Sequence, residues 1–264
     1  MNHKINFSLI INSYNRSLES LNTTIEQAVK SFPFEILVID QNEKALGLKY
    51  SNVSVFHFPH KAISKARNFA AAEAKGNWLV FLDDDALINE SSLKNLEQFL
   101  INESTQIVGG KIMVQDNPSE YYSKRQKLQS GQLSFLQLKA VMGGLFAIEK
   151  KKFIILQGFD EHFGIGALYP SSEDTDLIWK AYFQKNQISF CSDFIALHPR
   201  SSHISSEKAF LYGIGKGAMV AKWFKSKGKM LVLIEAFEMI IVPLLKSNYA
   251  SLKGRIKGWR SYRS

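Results

Sequence analysis

The sequence predicts an α/β protein built on a mostly parallel sheet flanked by helices. Three observations predict it. Apolar runs of strand length alternate with segments of helical spacing through the first half of the chain. The connections between them are short. Three of the apolar runs end in polar clusters, as strands do where a doubly wound sheet offers its carboxyl edge to a ligand.

Phe7-Ser8-Leu9-Ile10-Ile11 reads as a buried strand, followed by the polar run Asn12-Ser13-Tyr14-Asn15-Arg16. Residues 18–30 carry Leu18, Leu21, Ile25 and Val29 at helical spacing. Glu35-Ile36-Leu37-Val38-Ile39-Asp40 is a second strand ending in a carboxylate, and residues 53–58 form a third. Residues 62–75 are an Ala-rich helix, with Gly76 as its stop. Trp78-Leu79-Val80-Phe81-Leu82 is a fourth strand running into Asp83-Asp84-Asp85. A helix over 91–101 and a strand over 106–114 follow. Residues 116–139 are polar with two tyrosines and read as a loop or a short helical excursion. Gly143-Gly144 precede a short strand and the basic helix start Lys150-Lys151-Lys152. Residues 173–185 read as a helix with carboxylates in its first turn, and 194–197 as a strand leading into His198-Pro199. After Ser205 the chain reads as helical nearly to its end, with interruptions at Gly228 and Pro243.

The 264 residues suit one large domain with an appendage, divided here as 1–205 and 206–264. Within the first part, the halves are about 1–115 and 116–205. A hydrophobic share of 45% and a charged share of 22% exclude disorder, collagen and disulfide scaffolds. The single cysteine, Cys191, forms no internal disulfide, which points to a reducing, cytoplasmic location. Residues 208–264 hold twelve Lys/Arg and two Asp/Glu, against 21 and 22 in the first 207, so the excess of +9 belongs to the C-terminal fifth. A nucleic-acid-binding body would spread its basic residues over the main domain, so no nucleic-acid partner is expected. The apolar run at residues 7–11 is too short for a signal-peptide core, and no stretch of about 20 apolar residues offers a bilayer span.

The adjacent carboxylates Asp83, Asp84 and Asp85 repel one another, and a divalent cation relieves that repulsion. Alternate residues of an extended segment point the same way, so Asp83 and Asp85 can face one site. Hard oxygen ligands suit Mg²⁺ or Mn²⁺ bridging to a diphosphate. His198, fixed at a sheet edge between a strand and a proline, is a candidate further ligand. Glu173, Asp174 and Asp176 suit the dipole of a helix start, and Asp174 is a candidate general base for a single in-line displacement. Gly213-Ile214-Gly215-Lys216-Gly217 lacks the spacing of a phosphate loop and fits helix packing or a bend. Two other classes compete. A metal-dependent phosphohydrolase with an aspartyl nucleophile needs Asp-x-Asp after its first strand with a nearby Thr, and this cluster follows the fourth strand and leads into Ala86-Leu87. A non-enzymatic membrane-surface adaptor using the basic tail leaves the carboxylates unexplained.

With these residues in view, the sequence resembles glycosyltransferase family 2, inverting enzymes of the GT-A fold with a Rossmann-like sheet, over about residues 6–205. The matching segments come in the family's order. They are Ser13-Tyr14-Asn15-Arg16 after the first strand, Val38-Ile39-Asp40, and Ile63-Ser64-Lys65-Ala66-Arg67-Asn68 with Ala74-Lys75-Gly76. Then come Phe81-Leu82-Asp83-Asp84-Asp85, Gly143-Gly144, Gly158-Phe159-Asp160-Glu161, and Glu173-Asp174-Thr175-Asp176-Leu177. His198 falls where many members place a late histidine. Two departures stand out: Asn12 where the family often has Pro or Val, and Asp40-Gln41-Asn42-Glu43 where Asp-Asp-Gly-Ser is common.

The resemblance implies a metal-dependent, inverting glycosyltransferase of the hexosyltransferase class. It would move a sugar from a nucleotide diphosphate donor, UDP-sugar favoured, to a glycan or lipid-linked glycan hydroxyl in bacterial surface polysaccharide synthesis. It assigns the metal to Asp85 and His198, the donor nucleotide to Ser13, Asn15, Arg16, Asp40, Arg67, Asp83 and Asp84, and the catalytic base to Asp174. Gly143, Gly144 and Glu173 would line the sugar and acceptor pocket. Residues 230–245 are apolar but broken by Glu235, Glu238 and Pro243. Lys246, Lys253, Arg255, Lys257, Arg260 and Arg263 follow, with Trp259 and Tyr262 among them. That pattern reads as a peripheral contact with the anionic inner leaflet of the cell membrane.

Overall fold

The computed structural model describes residues 6–14, 16, 18–31, 35–48, 50, 53–141, 143–200, 204–226 and 229–262. Asn15, Gly228 and Arg263, singled out above, lie outside the described residues. The chain divides into two compact units. The first comprises Met1–Lys61, Lys65–Gly158 and Ile178–Arg200, and the second Ala62–Ser64, Phe159–Leu177 and Ser201–Ser264.

The first unit holds the sheet. In chain order its elements are β1 (Phe7–Ser13), α1 (Leu18–Ser31), β2 (Glu35–Asp40), β3 (Val53–His57), α2 (Ile63–Glu73), β4 (Trp78–Asp83) and β5 (Leu87–Ile88). Then come α3 (Glu90–Asn102), β6 (Ile107–Val114), β7 (Asn117–Tyr121), β8 (Gly131–Gln132), β9 (Leu145–Glu149), α4 (Lys150–Ile155), α5 (Glu173–Phe183) and β10 (Ile188–His198). The first residues of α2 and the first turn of α5 belong to the second unit. The strand order is β3-β2-β1-β4-β9-β6-β10-β5, with β7 beside β6 and β8 beside β10.

The sheet is mixed. β3, β2, β1 and β4 run parallel, as the buried apolar runs of β1, β2 and β4 predict. β9 then enters antiparallel to both β4 and β6, and β10 runs parallel to β6. Two antiparallel steps restore the original direction, so β10 points the same way as β4. The register Ser13↔Asp40 and Asn12↔Asp83 brings all three polar clusters to one edge, and His198, the last residue of β10, falls on that edge too. Phe7, Leu9, Ile11, Val38, Val80, Leu82, Leu145 and Ala147 form the middle of the core. The α2–β4 turn is locked beneath β1. Gly76 N donates to Ser8 Oγ at 2.8 Å, and a Cβ on Gly76 would lie 2.6 Å from Ser8 N. Residues 116–139 prove ordered: β7, β8 and two short helical turns surround a buried Gln126, which donates to Gly110 O and Ala140 O and accepts from Ile112 N.

The second unit is helical: α6 (Ser206–Ser226), α7 (Lys229–Leu245) and α8 (Tyr249–Ser261). The glycine-rich stretch of α6 serves packing. Gly213 and Gly217 face Gly254 and Gly258 of α8 so closely that a Cβ at any of the four would strike backbone of the other helix. The break expected at Pro243 does not occur, and α7 runs on to Leu245. Proline lacks the N–H that would bond the carbonyl four residues earlier, and Arg255 Nη1 of α8 donates to that Met239 carbonyl at 3.1 Å instead. Lys216 Nζ and Glu235 Oε2, 3.1 Å apart, join α6 to α7. Residues 159–177 are held by the helices of their own unit. Ser171 Oγ donates to Tyr212 O at 2.9 Å, and Tyr169 Oη to Ser261 O at 3.2 Å.

Candidate active site

At the carboxyl edge of the first unit, β4 delivers Asp83 and the turn after it Asp84 and Asp85, while the end of β10 delivers His198. His198 Nε2 lies 3.0 Å from Asp85 Oδ1 and 3.7 Å from Asp83 Oδ2. One ligand atom from each of these three residues lies within 4.8 Å of the others. Two carboxylate oxygens and an imidazole nitrogen suit Mn²⁺ or Mg²⁺. Gly144 supplies the room: a Cβ there would lie 2.8 Å from Asp83 Oδ2 and 3.0 Å from Ile112 Cδ1. The donor set and this cradle fit a divalent cation.

Cations already crowd the acidic turn. Arg16 donates from Nε to Asp84 Oδ1 at 3.0 Å and from Nη2 to Asp85 Oδ2. Burial works against the charge on His198, but Asp83 and Asp85 outweigh it and push the imidazole up to about 11. Burial raises the Asp84 carboxyl despite Arg16. For Asp85 burial also acts upward, yet His198 and Arg16 together hold it below the usual carboxylate range. Tyr122 packs on His198 with ring centroids 4.6 Å apart.

The other residues expected at the nucleotide site take varied places. Ser13 is buried at the end of β1. Arg67 is 3% exposed and lies beneath the edge rather than on it. Its Nη2 is 3.4 Å from Gly143 O and 3.6 Å from Asp83 Oδ1, so it orients Asp83 and the Gly143-Gly144 turn. Asp40, 1% exposed, accepts from Asn42 N, Asn42 Nδ2 and Leu46 N. Its carboxylate orders the turn after β2 instead of reaching outward. This is what its chain offers in place of the family's common Asp-Asp-Gly-Ser.

In the second unit, α5 opens with Glu173, which is buried, and Asp174, which is half-buried. A Cβ at Gly164 (φ 104°) would lie 3.3 Å from Glu173 Cδ. Asp176 is fully buried and turned elsewhere, accepting from Lys222 Nζ at 2.7 Å and Trp223 Nε1 at 2.8 Å. Lys222 also donates to Asp160 Oδ2 at 2.8 Å. Burial acts upward on Asp160, but Lys222 and the His162 N–H hold it down to about 2. Lys222, Trp223 and Tyr122 escaped the sequence reading. They reach their partners across 46, 47 and 76 residues, and no local spacing encodes such pairings.

Comparison with known proteins places this geometry in context. The profile described as Glycosyl transferase family 2 matches residues 8–191. "Poly(ribitol-phosphate) beta-N-acetylglucosaminyltransferase TarS" of Staphylococcus aureus is 26% identical over 215 residues, covering 76% of this chain but 37% of TarS. "dTDP-rhamnosyl transferase RfbF" of Shigella flexneri is 24% identical over 173 residues, covering 59% of this chain and 58% of the relative. The chain thus spans well under two thirds of either relative. Among solved structures, that of S. aureus TarS 1-349 in complex with UDP-GlcNAc matches with a TM-score of 0.62 at 19% identity, over 98% of this chain and 92% of that one. The mannosyltransferase PcManGT from Pyrobaculum calidifontis, in complex with GDP-Man and Mn²⁺, matches with a TM-score of 0.65 at 13% identity, over 97% and 74%. These last two likenesses concern the fold.

Proposed function

Because the chain belongs to glycosyl transferase family 2, we propose that it is a metal-dependent, inverting transferase. The donor is a nucleotide diphosphate sugar, with UDP-sugar first among the candidates. The acceptor is a hydroxyl of a glycan or lipid-linked glycan in surface polysaccharide synthesis, and the reaction takes place at the cytoplasmic side. The observation that carries the reading is the convergence of Asp83, Asp85 and His198 on the carboxyl edge of the sheet. Asp85 and His198, with Asp83, would hold Mg²⁺ or Mn²⁺; when bound, the ion offsets the charge that develops on the departing diphosphate.

The chain's own residues do the rest. Arg16, anchored on Asp84 and Asp85, brings a guanidinium to the edge where the phosphates arrive. Arg67 and Gly143 fix the aim of Asp83 from below. Ser13 and the turn ordered by Asp40 border the nucleoside, with Asn15 beside them in sequence, and Gly144 borders the sugar. Asp174 takes the proton of the acceptor hydroxyl. The freed oxygen bonds to the anomeric carbon as the bond from that carbon to the diphosphate oxygen breaks, and a nucleoside diphosphate leaves with inversion.

A panel of nucleotide sugars, scored by released nucleoside diphosphate, tests the reading. Turnover of one donor, lost in EDTA and in Asp85→Ala, is the expected result. Full turnover in EDTA, or no turnover with any donor, counts against it. The base has its own test, with Glu173→Gln, Asp174→Asn and Asp176→Asn compared for donor affinity and transfer. Asp174→Asn should keep donor affinity and lose about 10²–10⁴-fold in rate. Normal transfer by Asp174→Asn with Glu173→Gln inactive would move the base by one residue.

A further inference from the structure

The helical unit carries an exposed apolar surface that the transfer reaction does not use. α7 turns Val232, Glu235 and Met239 inward. Its opposite side presents Leu233, Ile234, Phe237, Ile240, Leu244 and Leu245 to solvent, with Phe237 65% and Leu245 81% exposed. These six positions fall at i, i+1, i+4, i+7, i+11 and i+12, a continuous stripe along one helix face. Contiguous exposed surface of this kind marks a contact site. The adjoining helix α8 turns its small residues inward and exposes Lys253, Lys257 and Arg260 at i, i+4 and i+7. With Ile256 and Ser261, these three cations line one open hollow. No Asp or Glu follows Glu238.

We propose that α7 lies in the interface of an anionic bilayer, its Leu233–Leu245 stripe in the acyl boundary and the α8 cations on lipid phosphates. This deepens the membrane-side placement in the proposed function by naming the surface and the headgroup charge, and it does not depend on the transfer chemistry. Charge decides the occupant. A second copy of this chain would add the same cations, and its α8, like this one, has no acidic residue to pair them. An anionic leaflet supplies the missing negative charge, and each basic residue near it adds roughly fivefold to partitioning. No helix among the described residues is long and apolar enough to cross a membrane, so the contact is one of lying on the surface.

The test uses the full chain and two sets of vesicles, phosphatidylcholine alone and phosphatidylcholine with phosphatidylglycerol. The protein should co-sediment with the anionic vesicles and be released by salt. Phe237→Glu with Leu245→Glu should lose at least tenfold in binding, as should Lys253→Glu with Lys257→Glu. In both cases melting temperature and donor hydrolysis in solution should stay unchanged. No binding to anionic vesicles overturns the proposal, as does binding that survives the paired Glu substitutions on α7. A stable dimer by light scattering that Phe237→Glu with Leu245→Glu splits into monomers, without vesicle binding, assigns the face to a second copy instead. Donor hydrolysis measured without vesicles reports on the transferase reading alone, so the two failures are distinct.

Discussion

Gly144 shows how little space the cation cradle has. A methyl there would press on Asp83 Oδ2 and on Ile112, which is buried. The side chain that would yield is the carboxylate, because Ile112 is fixed in the core. Gly144→Ala should therefore weaken Mn²⁺ binding by about 10–100-fold, as loss of outer-shell support typically does, with little change in melting temperature. Titration of Mn²⁺ followed by electron paramagnetic resonance checks this. Asp160 yields a prediction about acid. Its carboxyl is lowered from 3.8 to about 2, so the folded state binds its proton less readily than the unfolded state. That stabilisation is fully present above about pH 4 and is lost as pH falls through 2. Asp160 is partly open to solvent, so its share is on the order of 1–2 kcal/mol after screening. Asp160→Asn should flatten the acid limb of a denaturation curve between those values. An unchanged limb would mean that Lys222 is satisfied by Asp176 alone.

At the scale of elements, α6 holds the segment that precedes α5. Lys222 is the one cation bonded to both Asp160 and Asp176 among the described residues. Lys222→Met would leave a fully buried carboxylate without its countercharge, a change that costs up to about 3–5 kcal/mol in closed surroundings. Lys222→Arg should recover part of it, and chemical denaturation measures both. The crossing of α6 and α8 is equally sensitive. Gly258→Ala would drive a methyl into Ile214 O, at roughly 1–3 kcal/mol for forced overpacking. These element-level features mark where sequence reading stops. β1, β2, β4 and their polar ends were legible because an apolar run that ends in polar or acidic residues is a local pattern. The antiparallel insertion of β9 was not, since residues 145–149 read alike in either direction. Nor was the fate of Pro243, which depends on Arg255 of another helix. Asp83, Asp85 and His198 converge as their strand ends implied, whereas Arg67 and Asp40 turned out to act from beneath the edge, a matter of tertiary burial that no spacing records.

At the scale of the whole chain, neither unit is one continuous stretch. Residues 159–177 leave the sheet unit's sequence in the middle and belong with helices that begin at Ser206. A chain ended at residue 205 would lack Tyr212, Lys222, Trp223 and Ser261, the partners of that segment. Such a chain should keep Mn²⁺ binding at Asp83, Asp85 and His198 while residues 159–177 lose amide protection. Hydrogen exchange read by mass spectrometry checks this, and retained protection there would show that the segment folds without the helices. The bond between Asp176 and Lys222 also sets an order in time. They are 46 residues apart, so at about 5–20 residues/s the ribosome makes Lys222 roughly 2–9 s after Asp176. Through that interval the nascent chain carries the Asp176 carboxylate without the ammonium and indole that later shelter it. The first turn of α5, which carries the candidate base Asp174, therefore gains its bonds to α6 only late in synthesis, after the strands bearing Asp83, Asp85 and His198 have already emerged.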